Sequence, residues 1–235
     1  MAFAKPSVMR FLCWLPLTML AAGGLKGETT AFKMAVDRAN QAIGAGKPAA
    51  AEKQIDAVIK ADPNAAEGPN LRGVLRLREG RYEEAAGQFN EALARNPKFF
   101  PAKFNLAEVA LLRRDAWEAL RRFEELQSVD PASEVLQFKI TLCYVLVGED
   151  ARATETASLI RFPGNTPAYY YARAAGWMKK ENWPQVTYYL GSAHKYYEPA
   201  QCAYFEASLQ AVGLRASRHS PTPANSKPDG ASKGR

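Results

Sequence analysis

Apolar residues recur along most of this chain at i, i+4 and i+7, the spacing that gathers side chains on one face of an α-helix. Ala85, Phe89 and Ala92 form one such set, and Ala119, Phe123 and Leu126 another. The pattern is itself periodic. Ala51, Ala85, Ala119 and Ala153 stand 34 residues apart. Four positions after them come Ile55, Phe89, Phe123 and Ala157, and three further on Val58, Ala92, Leu126 and Ile160. Pro63, Pro97 and Pro131 keep the same period, each behind a polar Asp62, Asn96 or Asp130. Gly46, Gly80 and Gly148 share a further register, in which Arg114 is the exception.

These positions predict pairs of helices. A small alanine lets a neighbouring helix approach, and the large residue one turn on fills the gap beside it. Glycine in the loop register tolerates the left-handed backbone that ends a helix. A proline behind Asp or Asn stops one helix and suits the first turn of the next. The clearest copy runs from Ala66 to Phe99, and Phe100 to Ser133 is nearly as regular. Phe32 to Ala65 lacks bulky residues in its first helix. Glu134 to Thr166 starts well, but its second helix ends early at Pro163-Gly164. Pro167 to Ala200 fits with Val186 in place of the usual alanine. Gln201 to Arg215 reads as one more helix, with Tyr204, Ala207, Ala211 and Leu214 on a single face.

A helix-turn-helix unit of about 34 residues with a small residue, Ala, Phe and Pro in that order resembles the tetratricopeptide repeat. The resemblance covers roughly Phe32 to Ala200. It implies an all-α, right-handed superhelical solenoid of antiparallel helix pairs, about five repeats closed by a C-terminal capping helix. It also implies that the first helix of each pair lines a concave groove in which a protein or peptide partner lies. Carried over position by position, that groove holds Asn70 and Arg78 from the second repeat, and Phe104, Asn105 and Glu108 from the third. Phe138 and Lys139 come from the fourth, and Tyr171 and Lys179 from the fifth. Aromatic rings in that row are natural anchors for a partner segment, although Phe138 can equally belong to the core. Some family members grip a partner's terminal carboxylates with Lys, Asn and Arg. Here Val74 and Val135 stand where that grip wants Asn and Lys.

The two ends differ from the middle. Lys5 and Arg10 precede an apolar run from Phe11 to Leu20 and a small-residue stretch, Ala21 to Gly24. That order is a secretory signal over residues 1–24, too short to span a bilayer; the alternative is an amphipathic first helix, against which no polar face appears. A short segment, 25–31, then leads to the solenoid at 32–215. From Ala216 the chain turns to Ser, Pro, Asn, Lys and Gly, so 216–235 reads as a disordered tail. The expected location is periplasmic, cell-envelope or secreted, with no stable membrane insertion after signal removal. Most of the +7 formal charge sits in these two ends. A nucleic-acid binder needs it along one folded face, so none is expected as partner.

Catalysis finds little material. The chain has two histidines and three cysteines. It has no His-Glu-x-x-His, no phosphate-binding glycine loop and no Gly-x-Ser-x-Gly. No catalytic residue, metal site or cofactor is therefore expected. Cys143 and Cys202 are expected as free, buried thiols, because stacked helices would hold them apart. Tyr169, Tyr170, Tyr171, Tyr188, Tyr189, Tyr196, Tyr197 and Tyr204 crowd the last third, either as core or as a second contact surface. The function that follows is an exported, non-catalytic interaction scaffold, or alternatively a fixed assembly subunit of an envelope machine.

Overall fold

A computed structural model describes residues 30–215. The signal expected over 1–24, most of the segment 25–31, the tail over 216–235 and His219 lie outside the described residues. Within them the chain forms eleven helices and no strand. Five antiparallel pairs come first: α1 (Thr30–Gly44) with α2 (Pro48–Ala61), α3 (Glu67–Arg78) with α4 (Tyr82–Arg95), and α5 (Phe100–Leu112) with α6 (Ala116–Gln127). Then come α7 (Glu134–Val147) with α8 (Asp150–Leu159), and α9 (Ala168–Lys179) with α10 (Trp183–Tyr196). A last helix, α11 (Pro199–Ala211), closes the chain. No described helix is long and apolar enough to cross a membrane.

The periodic residues are the contacts. Ala51, Ala85, Ala119, Phe89 and Phe123 are fully buried. Phe89 lies on Gly73 so closely that a Cβ there would meet its ring at 2.5 Å. Removing such a ring from water is worth roughly 2–3 kcal/mol. The loop glycines behave as the pattern requires: Gly46, Gly80 and Gly148 have φ of 66°, 76° and 84°. Arg114 takes the same left-handed backbone at φ 68°, although it carries a side chain. Asp115 then caps α6, its Oδ1 accepting from the Glu118 amide at 3.1 Å.

The fourth repeat departs from the pattern as its proline and glycine foretell. Helix α8 stops at Leu159, and the chain reaches α9 through a loop held by the first-turn carboxylate of α7. Glu134 accepts from the amides of Asn165 and Thr166, both at 2.9 Å. The shortened α8 lets α9 lie closely against α7. The core accordingly divides into two clusters, one under α1 to α5 and one joining α5 to α11.

Two helical glycines give opposite expectations. Gly87 in α4 has nothing within 4 Å of a Cβ. Gly87→Ala should stabilise the chain by about 0.5–1 kcal/mol by restricting the unfolded backbone. Gly73→Leu should cost about 1–3 kcal/mol through overpacking against Phe89. Urea unfolding followed by circular dichroism measures both; equal effects would contradict the packing at Gly73.

Candidate functional site

Helices α1, α3, α5, α7 and α9 are the first helices of their pairs; α1, α3 and α5 lie side by side, as do α7 and α9, and the Lys139–Glu108 ion pair bridges α7 to α5. Across α5, α7 and α9 runs α11. The ring of Phe205 sits between Phe138 and Tyr171, with centroids 4.9 and 5.4 Å away. The Tyr171 hydroxyl donates to Glu206 Oε1 at 3.0 Å, and His194 Nε2 of α10 lies 2.7 Å from the same oxygen. The Lys139 ammonium donates to Glu108 Oε2 and to Ser208 Oγ, each at 2.9 Å. Ser208 in turn donates to the Tyr204 carbonyl at 2.9 Å, and the Tyr204 ring lies 5.0 Å from the ammonium. At the far end of α11 the Arg114 guanidinium donates to the Val212 carbonyl.

This seat decides the state of most groove positions. Phe138, Lys139 and Tyr171 are fully buried, and Glu108 is 2 % exposed. Their side chains reach the groove face, and α11 covers it. Phe104 turns elsewhere: its ring meets Phe123 of α6 edge-on at 5.4 Å, inside its own repeat. Arg78 caps the first pair, its Nη1 donating to the Ile43 carbonyl at 2.6 Å. Lys179 is exposed at the end of α9.

Beyond α11 the strip of α1, α3 and α5 continues. Asn105 Nδ2 donates to Asn70 Oδ1 at 3.0 Å, tying α5 to α3. Each amide keeps a second polar atom, the Asn70 amino group and the Asn105 carbonyl oxygen. Asn70 is buried and Asn105 half-buried; these remaining atoms are a donor and an acceptor, the chemical complement of a peptide group. Asn40 of α1 is half-buried on the same row.

The tyrosines of the last third divide between core and surface. Tyr170 and Tyr171 are buried, whereas Tyr188 and Tyr196 are exposed. Cys143 and Cys202 are free and buried. Burial pushes both thiols above their ordinary range, so neither is primed as a nucleophile. Cys202 faces Tyr171 and not Cys143. No group of three or more His, Cys, Asp or Glu residues is placed to hold a metal ion among the described residues.

On the floor of the seat, Glu108, Phe138, Lys139 and Tyr171 were expected from the repeat register as groove positions, and one further signal pointed to α11 itself. Arg114 broke the glycine register, and its side chain is what reaches α11. Ser208, Glu206 and Phe205 gave no such warning, because a single amphipathic helix does not say which surface it will cover.

Family models described as tetratricopeptide repeat match residues 36–98 and 76–139. The fold is similar to a thermophilic tetratricopeptide-repeat protein of Thermus thermophilus, with TM-score 0.62 and 19 % identity, over 77 % of this chain and 100 % of that one. A tetratricopeptide repeat protein of Parabacteroides merdae gives TM-score 0.60 and 20 % identity, over 78 % of this chain and 70 % of the other. The Pseudomonas aeruginosa pilF protein gives 0.54 and 17 %, over 77 % and 82 %. At these identities the likeness concerns the fold alone. No curated protein matches the sequence.

The Lys139–Glu108 pair sets a stability expectation. Lys139→Met should cost about 3–5 kcal/mol, because it leaves the Glu108 charge buried alone. Adding Glu108→Leu to that variant should recover most of the loss. Denaturant midpoints of the two singles and the double measure the coupling; additive losses would mean that the charges do not act as a pair.

Proposed function

We propose that the chain, whose residues 36–98 and 76–139 match tetratricopeptide-repeat models, is a non-catalytic scaffold that holds a protein segment along the strip of α1, α3 and α5. Tetratricopeptide repeats are generally protein-interaction scaffolds, and the chemistry of this strip agrees with that use. The observation that carries the reading is the Asn70–Asn105 amide pair. Its remaining donor and acceptor match the backbone of an extended segment, whatever the side chains of that segment are. Such pairing holds a main chain in register, while neighbouring side chains set the preference. Half-buried Leu112 on α5 supplies apolar surface of that kind.

The proposal includes export. The charged start, short apolar run and small-residue stretch within residues 1–24 support a secretory signal. The partner is then sought in the periplasm or cell envelope, or outside the cell. A second reading, that of a fixed subunit of an envelope assembly, draws on the exposed rings Tyr188 and Tyr196, which offer a permanent contact away from the strip. Salt-resistant co-purification at fixed stoichiometry favours that second reading.

The test is a crosslinked pull-down of the mature chain from its native envelope, beside an Asn70→Ala/Asn105→Ala bait. Losing the amide contacts should weaken partner capture by about tenfold. Equal capture by both baits would move the binding surface off this strip. Fractionation of cells expressing the full chain tests export, and retention of an uncleaved chain in the cytoplasm would contradict it.

A further inference from the structure

The groove over α5, α7 and α9 is built differently from the open strip. Its floor carries specific recognition features that belong to the repeats themselves. Phe138 and Tyr171 form an aromatic cleft, filled by Phe205. The Tyr171 hydroxyl and His194 both address one carboxylate, that of Glu206. Lys139 and Glu108 form an ion pair that asks only for a neutral hydroxyl above it, and Ser208 supplies one. Arg114 waits at the edge for a terminal helix carbonyl, that of Val212. Successive turns of α11 therefore each meet a dedicated group.

We infer that this groove is a receptor site for an amphipathic helix, that α11 is its built-in occupant, and that a partner helix of the same pattern can take its place. The pattern is an aromatic residue, an acid next to it, a small hydroxyl residue three positions on and an aliphatic residue at four. The site is separate from the Asn70–Asn105 strip, so it stands or falls independently of the function proposed above.

Two features make the occupant exchangeable. Both charges under α11 come from the repeats, so its departure returns Lys139 and Glu108 to water. The hydration they regain offsets part of the cost of exposing the apolar faces. The tether is also short and defined: α10 ends at Tyr196, and Glu198 caps α11 reciprocally with Gln201. Helix α11 thus keeps its own N-terminal cap whether seated or not. Arg114 adds a contact to the seat from outside the groove helices. Like Glu181 in the equivalent α9–α10 loop (φ 54°), it accepts a left-handed backbone where three other loops use glycine, and its side chain donates to the α11 end.

The experiment uses the full chain and a fluorescent peptide of residues 198–215. Phe205→Asp in the chain should unseat its own α11 and leave the floor intact. The peptide should then bind that variant saturably and leave the wild type unlabelled. In parallel, thiol labelling localised by mass spectrometry compares Cys202 on α11 with Cys143 on α7. Arg114→Gly should raise the Cys202 rate about tenfold relative to Cys143. No peptide binding to a Phe205→Asp chain that keeps its helical circular dichroism would overturn the inference. So would an unchanged Cys202 to Cys143 ratio in Arg114→Gly, a readout that decides even if Phe205→Asp fails to fold. Concentration-dependent dimers of the wild type exchanging α11 would give the groove to a second copy of the chain and overturn its assignment to a partner helix.

Discussion

The close approach of two helices through a small residue is the constraint on which the rest of this molecule depends. Gly73 lies against Phe89, and Gly68 against Ile59, so closely that a Cβ would have to displace its neighbour. Each unit can be thin because alanine or glycine stands on one side of the contact and a ring or branched chain on the other. Thin units stack, and stacking brings the first helices side by side. The groove is thus a consequence of packing and needs no residue of its own to create it. What the groove then does is decided by the polar side chains on its floor: Asn70 and Asn105 at one end, Lys139 and Glu108 further along.

Those two polar pairs face different situations. The asparagines share one hydrogen bond, Asn70 buried and Asn105 half-buried, and carry no charge, so covering them costs less than covering an ion. The ion pair is covered, and covering it removes two charges from solvent. Such burial is tolerable only because the partners meet each other and Ser208 at hydrogen-bond distance. The pair also fixes where α11 sits. Sliding that helix by one residue would bring an apolar side chain over the ammonium and remove one of its two hydrogen bonds. Aromatic contacts alone would permit several registers; the hydroxyl above Lys139 permits one.

The repeat was legible because its signals are local. Ala85, Phe89 and Ala92 lie within two turns of one helix, and their recurrence reports the fold without any knowledge of long-range contact. The early end of α8 was legible for the same reason, since Pro163 and Gly164 act on the backbone beside them. The state of the groove was not. Position in the repeat placed Phe138, Lys139 and Tyr171 on the first helices, but their burial comes from a helix distant in sequence. Phe104 shows the finer ambiguity. One or two positions along a helix separate a residue facing the groove from one facing α6, and the Phe104 ring meets Phe123. The apolar face of α11 announced that it would be covered, yet a stacked end cap and a groove occupant demand the same periodicity.

Arg114 is where the two levels meet. By local rules the loop before α6 asks for glycine, as at Gly46, Gly80 and Gly148, although the loop before α10 also does without one at Glu181. Holding a residue with a Cβ there costs on the order of 1–2 kcal/mol. A charged hydrogen bond to the Val212 carbonyl is worth a similar amount. The strain and the hydrogen bond therefore roughly cancel in the folded chain, and Arg114 adds little to overall stability. The cancellation holds only while α11 is seated. Once that helix leaves, the strain remains without the bond that offsets it, so the same residue that balances the closed state works against the open one. A departure from the repeat pattern that is neutral in total stability thus weights one arrangement of α11 over another.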